Sequence, residues 1–264
     1  MIACAAVAAH AQDRPLDDWK AAFAAAKQEK KLVFVDYFAT WCRPCHEMEE
    51  HVFPLADVKE QMAKFVVVTI DVDRSPIARA HAVAAMPTYV IYDARERELM
   101  RITGWKPAQI FSAALAEVNS AAPQFAAADE LDQQAKPIDA AFARANAFMS
   151  LRLGDQARVA LKDARKEAEK SGKPAVAQVA QIQDAFTFAL ENNPRKSIKL
   201  LENILKSPLE KQAEQLAWLT LGQVQRAAKN AAAARDCFEH VKSICSPDEA
   251  AYRDADAALR KLQP

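Results

Sequence analysis

Two cysteines separated by two residues form the most reactive pattern of the sequence, in the segment Trp41-Cys42-Arg43-Pro44-Cys45. An apolar run rich in Val and Phe precedes them and predicts a buried strand over residues 32–38. Pro44 suits the first turn of a helix, because the N–H that proline lacks has no intrahelical partner there. Cys42 is therefore predicted at a strand-to-helix junction, with Cys45 one helical turn further along and close enough for a disulfide.

The predicted position of Cys42 favours its ionised form. The positive end of a helix dipole stabilises a thiolate relative to a thiol, and Arg43 adds a cation beside it. We expect Cys42 to be an exposed nucleophile of lowered pKa that attacks a disulfide, and Cys45 to resolve the mixed disulfide that results. Exchange of this kind needs no cofactor besides the redox-active Cys42–Cys45 disulfide.

The hydrophobic pattern of the first half of the chain alternates between strand and helix. A continuous β-branched run at residues 65–71 is typical of a buried strand, and an amphipathic pattern at 16–30 is typical of a helix. The other predicted elements are helices at 44–51, 56–64, 77–84 and 107–119 and strands at 88–92 and 99–103. Helices that alternate with strands and end in a hairpin predict a central mixed sheet with helices on both sides.

Three segments, in this order, resemble one known family. Residues 32–45 resemble the active-site segment of the thioredoxin superfamily, and the continuation to Pro54 looks most like the C-terminal thioredoxin domain of DsbD-type thiol:disulfide interchange proteins. Residues 85–92 resemble the family's cis-proline loop and next strand, and residues 102–115 resemble its last strand and closing helix. The resemblance implies an α/β thioredoxin fold for a first domain over residues 13–121.

The resemblance also gives Asp36 a catalytic role. It would be the buried acid that accepts the proton of Cys45 during resolution, and its place in an apolar strand predicts a raised pKa. The alternative is a strand-end aspartate held by a turn. The sequence departs from many thioredoxins here, because residues 66–68 of the neighbouring strand offer no lysine for this carboxylate.

A substrate site would follow from the same resemblance. The backbone of Met86, with Pro87 in cis, would pair with an extended substrate strand, whereas the alternative is an ordinary trans turn before a strand. Trp41 would form a half-exposed wall of this site. The predicted substrate-binding residues are Trp41, Met86, Pro87 and Thr88, and the predicted tuning residues are Arg43 and Pro44.

The segment Cys42-x-x-Cys45-His46 also satisfies the pattern for covalent attachment of a c-type haem, in which His46 would be an axial ligand. The thioredoxin-like flanks favour the dithiol, and they make His46 an exposed helix residue beside the site. A zinc site would need a second Cys/His pair at ligand spacing, which the sequence lacks, so no metal site is predicted.

Composition and the N-terminus bear on partners and location. The formal net charge is zero, so the sequence gives no reason to expect a nucleic-acid partner. The sequence contains no run of 18 apolar residues, so no transmembrane helix is predicted. Residues 1–11 are small and apolar and end in Ala9-His10-Ala11, which resembles the back half of a secretory signal peptide without its positive region. The alternative is an Ala-rich tail. We expect a periplasmic or otherwise extracytoplasmic protein.

The second half of the chain has a different pattern. Residues 125–264 contain no strand-like run and are dominated by helix-forming residues. Trp218, Gly222 and Phe238 follow the spacing of a tetratricopeptide repeat, and weaker copies centre on Ala145 and Ala185. We predict an all-α helical-repeat domain, similar to tetratricopeptide repeats, that offers a surface to a protein partner. The alternative is an irregular helical bundle.

The leading hypothesis is a thiol–disulfide oxidoreductase that acts as a reductant or electron relay. Only one cation and the helix end act on Cys42, and no histidine lies between the cysteines, which favours an intermediate thiolate and a reducing couple. Its partners would be a protein that carries a disulfide and an upstream thiol electron donor. The alternatives are a protein-binding adaptor with a thioredoxin-like module, and a disulfide-forming oxidant.

Overall fold

A computed structural model describes residues 15–262, with side chains from Trp19 onward. The predicted signal segment, residues 1–11, lies outside the described residues. The chain divides into two compact units, Met1–Ala126 and Ala127–Pro264. Within residues 15–262, no helix is long and apolar enough to cross a membrane.

The first unit is built on a four-stranded mixed sheet. Its strands are β1 (Leu32–Phe38), β2 (Phe65–Asp71), β3 (Thr88–Tyr92) and β4 (Glu98–Thr103). They lie in the order β2-β1-β3-β4, with β1 parallel to β2 and antiparallel to β3, and with β3 antiparallel to β4. The predicted mixed sheet is confirmed, and β1 is buried along almost its whole length. β2 lies at the edge of the sheet and its Val67 is 46% exposed, so the prediction of a buried strand at 65–71 holds for only part of β2.

Helices cover both faces of this sheet. On one face, Trp19 and Phe23 belong to the same core cluster as Val33, Val35 and Tyr37 of β1. The opposite face carries a cluster of aromatic rings from Phe34, Phe53, Phe65, Tyr89 and Phe111. The helices are α1 (Pro15–Glu29), α2 (Arg43–His51), α3 (Ala56–Met62), α4 (Ile77–Ala80) and α5 (Ala108–Gln133).

Two helices differ from the sequence prediction. Helix α4 ends at Ala80 instead of residue 84, because His81 leaves the helical conformation and Ala82 takes a φ of 51°. Helix α5 does not end at residue 119 but continues through Pro123. Its buried face also continues, since Val118, Ala121, Phe125 and Ala128 keep helical spacing. Their burial offsets the cost of an interior proline, about 3 kcal/mol.

The second unit contains the predicted all-α region. Helices α6, α8 and α10 begin at residues 137, 174 and 211, so that successive pairs of helices start 37 residues apart. Each helix packs against the next along the chain, and α8 also packs against α6 and α10. The helices are α6 (Pro137–Ser150), α7 (Gly154–Lys170), α8 (Pro174–Leu190), α9 (Pro194–Ile204), α10 (Lys211–Ala227), α11 (Ala231–Ile244) and α12 (Ala250–Arg260).

The packing of α10 against α11 depends on a glycine. Phe238 of α11 is fully buried, and a Cβ added at Gly222 of α10 would lie 2.6 Å from Cε1 of that ring. Trp218 packs against the same cluster but is only partly buried. Cys237 is buried and Cys245 follows the end of α11; both are free thiols.

We expect Gly222→Ala to lower the free energy of unfolding of the full chain by about 1–3 kcal/mol, because the enclosed Phe238 ring must move to admit a methyl group. Gly154→Ala is the control, since the nearest atoms to the methyl group there belong to the end of the Glu191 side chain, which can move with its Arg158 partner, instead of to an enclosed ring. Urea denaturation followed by circular dichroism measures both variants. Equal stability of the two variants would contradict the close packing of α10 on α11.

Candidate active site

The two cysteines of the motif are joined in a disulfide, with their Cα atoms 5.3 Å apart. Cys42 occupies the N-cap position of α2, so that the helix begins at Arg43 and Pro44 lies in its first turn. The backbone N–H of Cys45 donates to the Sγ atom of Cys42, with an N–S distance of 3.2 Å. When the disulfide is reduced, this amide and the positive helix end both favour a thiolate at Cys42.

The disulfide is less exposed than the sequence predicted. Cys42 and Cys45 are each only 2% exposed, so the expectation of an exposed Cys42 is wrong for the disulfide form. Ala39 completes this small core cluster, against which Phe38, Val72 and Met86 pack. Apolar neighbours shield the sulfur atoms, and a partner must approach Cys42 through an opening in this layer.

That opening is a pocket of about 480 Å³ in front of the disulfide. Cys42 lies in its wall between Trp41 and Arg43, and Met86 faces it from the loop that joins α4 to β3. The remaining lining residues are Pro44, Val72, Val83, Ala84 and Ala85. An open pocket with mostly small or apolar walls suits an extended peptide better than a small polar molecule.

The loop that carries Met86 is held from two sides. The Met86–Pro87 peptide bond is cis, and the carbonyl of Pro87 accepts a hydrogen bond of 2.8 Å from the N–H of Gly104. Thr88 does not line the pocket, because its side chain is buried and its hydroxyl donates to the carbonyl of Ala85 at 2.7 Å. Thr88 therefore supports the loop instead of contacting a substrate with its side chain.

Trp41 is more exposed than a half-buried wall residue. Its side chain is 66% exposed, and its indole N–H donates to Oδ2 of Asp73 at 2.7 Å. Asp73 was not predicted as a site residue; it follows β2, and its backbone N–H donates to Oδ1 of Asp71 at 2.9 Å. The parallel pairing of β1 with β2 was the available signal, because it brings the ends of both strands to one edge of the sheet.

Arg43 does not act on Cys42 as an isolated cation. Its side chain is almost fully exposed, and its Nε atom lies 3.2 Å from Oε1 of Glu47, one turn along α2. The carboxylate of Glu47 partly neutralises the guanidinium charge. The helix end and the Cys45 amide are therefore the main groups that stabilise a thiolate at Cys42.

Asp36 lies in β1, the strand that precedes the active-site helix. Side chains alternate along β1, so Asp36 faces the same side of the sheet as Phe34, the side that carries the Phe111 ring of α5. It is only 5% exposed, and its Oδ1 atom has no hydrogen-bond partner among the described residues. Its neighbours on the adjacent strands are Thr69 and Tyr89, so no lysine pairs with it there.

Burial raises the pKa of Asp36 to about 8, and the negative charge of Glu49 adds to the increase. The direction agrees with the sequence prediction. The contribution of Glu49 was missed, although its place on α2, four residues after Cys45, puts it one helical turn from the resolving cysteine. The disulfide form thus holds a buried carboxyl group that is mostly protonated at neutral pH.

His46, which follows Cys45, contacts two oxygen atoms. Its Nε2 atom lies 3.0 Å from the carbonyl oxygen of Thr40, and its Nδ1 atom lies 3.6 Å from Oε2 of Glu49. The hydrogen bond to the Thr40 carbonyl is the main cause of a raised pKa for His46. Within the part of the chain that the structure describes, no group of three or more His, Cys, Asp or Glu residues is arranged to hold a metal ion.

Comparisons with known proteins agree with this geometry. The family model of a thioredoxin-like domain matches residues 19–119. Thioredoxin-1 of Drosophila melanogaster is 40% identical over 78 residues, which cover 29% of this chain and 69% of that protein. The chain belongs to the thioredoxin family. The family match spans most of the first unit, including the disulfide, Asp36 and the cis-proline loop.

Two further relatives show how far the similarity extends for this thioredoxin-family chain. Thioredoxin H2 of Arabidopsis thaliana is 39% identical over 89 residues, covering 33% of this chain and 64% of that protein. The thiol:disulfide interchange protein DsbD of Pseudoalteromonas atlantica is 30% identical over 105 residues, covering 37% of this chain. The chain spans only 18% of that DsbD protein, so similarity to it concerns one domain.

Proposed function

We propose that the protein is a thiol–disulfide oxidoreductase that transfers electrons to a protein disulfide through Cys42 and Cys45. The observation that carries the proposal is a disulfide at the start of α2, in the wall of an open pocket that faces Met86. The dithiol is the only redox group that this reaction requires. The substrate is a protein with an accessible disulfide, and an upstream thiol donor reduces the Cys42–Cys45 pair again.

The reaction divides into two exchanges. The Cys42 thiolate attacks one sulfur of the partner's disulfide, a bond forms between them, and the partner's other sulfur leaves as a thiolate. Cys45 then loses its proton and attacks Sγ of Cys42, which forms the Cys42–Cys45 disulfide and releases the partner's second thiolate. Two electrons have passed from this chain to the partner, whose thiolates take up protons from water.

In this proposal Asp36 accepts the proton of Cys45 and later returns it. During resolution the ionised carboxylate takes the Cys45 proton, which is the role expected for a buried acid of raised pKa. When the upstream donor opens the disulfide, the same carboxyl group returns the proton to the Cys45 sulfur. Its pKa of about 8 lies close enough to neutral pH for the group to give up or take up a proton during each exchange.

The disulfide also supports dithiol chemistry over covalent haem attachment. Both sulfur atoms are bonded to each other, whereas haem attachment would consume them in thioether bonds. In addition, the Nε2 atom of His46 faces the carbonyl of Thr40, where it donates a hydrogen bond instead of binding iron. A visible absorption spectrum of protein purified from its host tests this point: a haem Soret band would favour the cytochrome alternative.

Insulin reduction tests the proposed activity. The full chain, supplied with dithiothreitol, is expected to accelerate precipitation of the insulin B chain, and Cys42→Ser is expected to leave only the uncatalysed rate. Cys245→Ser is the matched control, because it removes a free thiol that lies outside the site. Equal activity of wild type and Cys42→Ser would leave a binding adaptor as the better description.

We place the reaction outside the cytoplasm. The pattern Ala9-His10-Ala11 supports export, and oxidising compartments are where protein disulfides persist as substrates. N-terminal sequencing of protein isolated from its host should then begin near Gln12. A soluble cytoplasmic species that retains Met1 would contradict export.

We further propose that the second unit binds a protein partner through repeated helical hairpins similar to tetratricopeptide repeats. The regular 37-residue spacing between α6, α8 and α10 supports this. Stacked hairpins leave one face of each repeat free for a ligand. A fragment that ends after Gln133 should reduce insulin but lose activity on the native partner. Full activity of the fragment on that partner would contradict this role.

A further inference from the structure

His46 is an exposed histidine whose two ring nitrogens both face oxygen acceptors. The Nε2 atom lies 3.0 Å from the Thr40 carbonyl, and the Nδ1 atom lies 3.6 Å from the Glu49 carboxylate. The contact to the Thr40 carbonyl is a hydrogen bond that the ring donates, and the contact to Glu49 is at ion-pair distance. A carboxylate at this distance favours the protonated ring over the neutral one.

The charged groups that act on His46 are negative. Glu49 and Glu50 of α2 both act on the ring, and Glu49 also acts on Asp36, which lies in β1. Arg43, the nearest cation in the sequence, is engaged with Glu47. The ring is thus the cation placed to offset the charge of Glu49, and it lies directly after the resolving cysteine.

We propose that protonated His46 is a positioning residue, which ties the Thr40 carbonyl to Glu49 and weakens the negative field that Glu49 imposes on Asp36. The inference rests on the proposed function, in which Asp36 exchanges a proton with Cys45. His46 touches neither the substrate nor the sulfur atoms, so its effect on the reaction is indirect. It makes the proton transfer between Asp36 and Cys45 sensitive to pH.

The direction of this sensitivity follows from the charges. The neighbouring carbonyl and carboxylates raise the pKa of His46, so its cation is fully present at acidic pH and disappears as the pH rises through that pKa. While the cation is present, Asp36 loses its proton more easily. Once the ring is neutral, Glu49 acts on Asp36 without this counter-charge and holds the proton more firmly on it.

Three variants separate the effect of the positive charge at position 46 from the effect of hydrogen bonding by the side chain. His46→Lys carries a permanent cation, His46→Gln carries none but keeps a hydrogen-bond donor, and His51→Gln is the matched control on the same helix. His51 is mostly exposed and its Nε2 atom lies only within 4.0 Å of Glu50. The readout is the titration of the Asp36 carboxyl carbon by NMR in the oxidised full chain, without any partner present.

We expect Asp36 to titrate at lower pH in His46→Lys than in His46→Gln, by about half a pH unit, which is about a threefold change in its ionisation constant. The His51→Gln variant should match wild type. The ring of His46 itself should titrate at lower pH after Glu49→Gln.

Identical Asp36 titrations in His46→Lys and His46→Gln would overturn the proposal, as would a His46 titration that Glu49→Gln does not move. Insulin reduction by the wild type, measured in parallel, reports separately on the proposed function. Absence of reduction would remove the activity, whereas the Asp36 titration in the oxidised protein decides the role of His46 on its own.

Discussion

Replacing Cys45 with serine is expected to convert the protein into a covalent trap. Cys42 can still attack the partner's disulfide, but the serine hydroxyl cannot displace the partner from the mixed disulfide. Cys45 lies three residues after Cys42, with the two Cα atoms 5.3 Å apart, so resolution in the wild type is intramolecular and removal of Cys45 should have a large effect. Partners should then accumulate as adducts that resist denaturation and disappear on treatment with dithiothreitol.

Non-reducing electrophoresis of Cys45→Ser, expressed in its host and quenched with acid, measures these adducts. The double variant Cys42→Ser/Cys45→Ser is the control, because it retains Cys237 and Cys245 and shows whether they capture partners. We expect no adducts in the double variant. Equal adducts in both variants would mean that Cys42 is not the attacking group, and mass spectrometry of the specific adducts would identify the substrate.

Replacing Asp36 with asparagine is expected to slow the reaction while making the fold more stable. The amide cannot take or give the Cys45 proton, and general acid–base groups contribute at least about 100-fold to rate. Reduction of the disulfide by a small thiol, followed by tryptophan fluorescence, should therefore slow and lose its dependence on a group that titrates near pH 8. Glu60→Gln, which removes an exposed carboxylate on α3, should leave the rate unchanged.

The stability effect of Asp36→Asn has a definite pH dependence. Burial raises the pKa of Asp36 from 3.8 to about 8, so the unfolded chain releases this proton at lower pH than the folded chain. Below about pH 4 Asp36 is protonated in both the folded and the unfolded state, so its ionisation does not lower the free energy of unfolding. Between the two pKa values the wild type loses stability with rising pH, by at most about 1.4 kcal/mol per pH unit for one proton, and above pH 8 the loss is complete.

Urea denaturation at pH 5 and pH 7 measures this difference. The wild type should lose roughly 3 kcal/mol more between these pH values than Asp36→Asn, which has no carboxyl group to ionise. A wild type and variant with parallel pH profiles would show that Asp36 ionises as readily in the folded protein as in the unfolded chain. That result would contradict the proposed proton exchange between Asp36 and Cys45.

The strands of the first unit were the part of the fold that the sequence predicted best. β1, β2 and β3 have the predicted bounds, since each is a short run of mostly apolar residues between polar segments, although only β1 and β3 are buried on both faces. The ends of the helices were predicted less accurately. The prediction ended the last helix of the first domain at residue 119, but the buried face of α5 continues past Pro123, and tertiary packing overrides the local preference of proline.

The sequence predicted the two cysteines of the candidate site and their spacing, but not the contacts that other residues make around them. The cysteines lie one turn apart on a helix, which local spacing is enough to predict. The hydrogen bond between Trp41 and Asp73 joins residues that are 32 positions apart in the chain, just after the ends of β1 and β2, and it depends on the strand order. The burial of Cys42 likewise depends on Val72 and Met86, which are distant in the chain and pack against the disulfide cluster through the arrangement of the strands.

The redox equilibrium of the Cys42–Cys45 pair tests the central claim most directly. The full chain is equilibrated with defined ratios of reduced and oxidised glutathione or dithiothreitol, quenched with acid, and its free thiols are labelled and counted. We predict one reversible two-electron couple with a midpoint nearer to about −270 mV than to about −120 mV, because the Arg43 guanidinium is paired with Glu47 and adds little to the helix end that stabilises the Cys42 thiolate. A midpoint near −120 mV would make the protein an oxidant, and a disulfide that never equilibrates with either thiol would contradict thiol–disulfide exchange altogether.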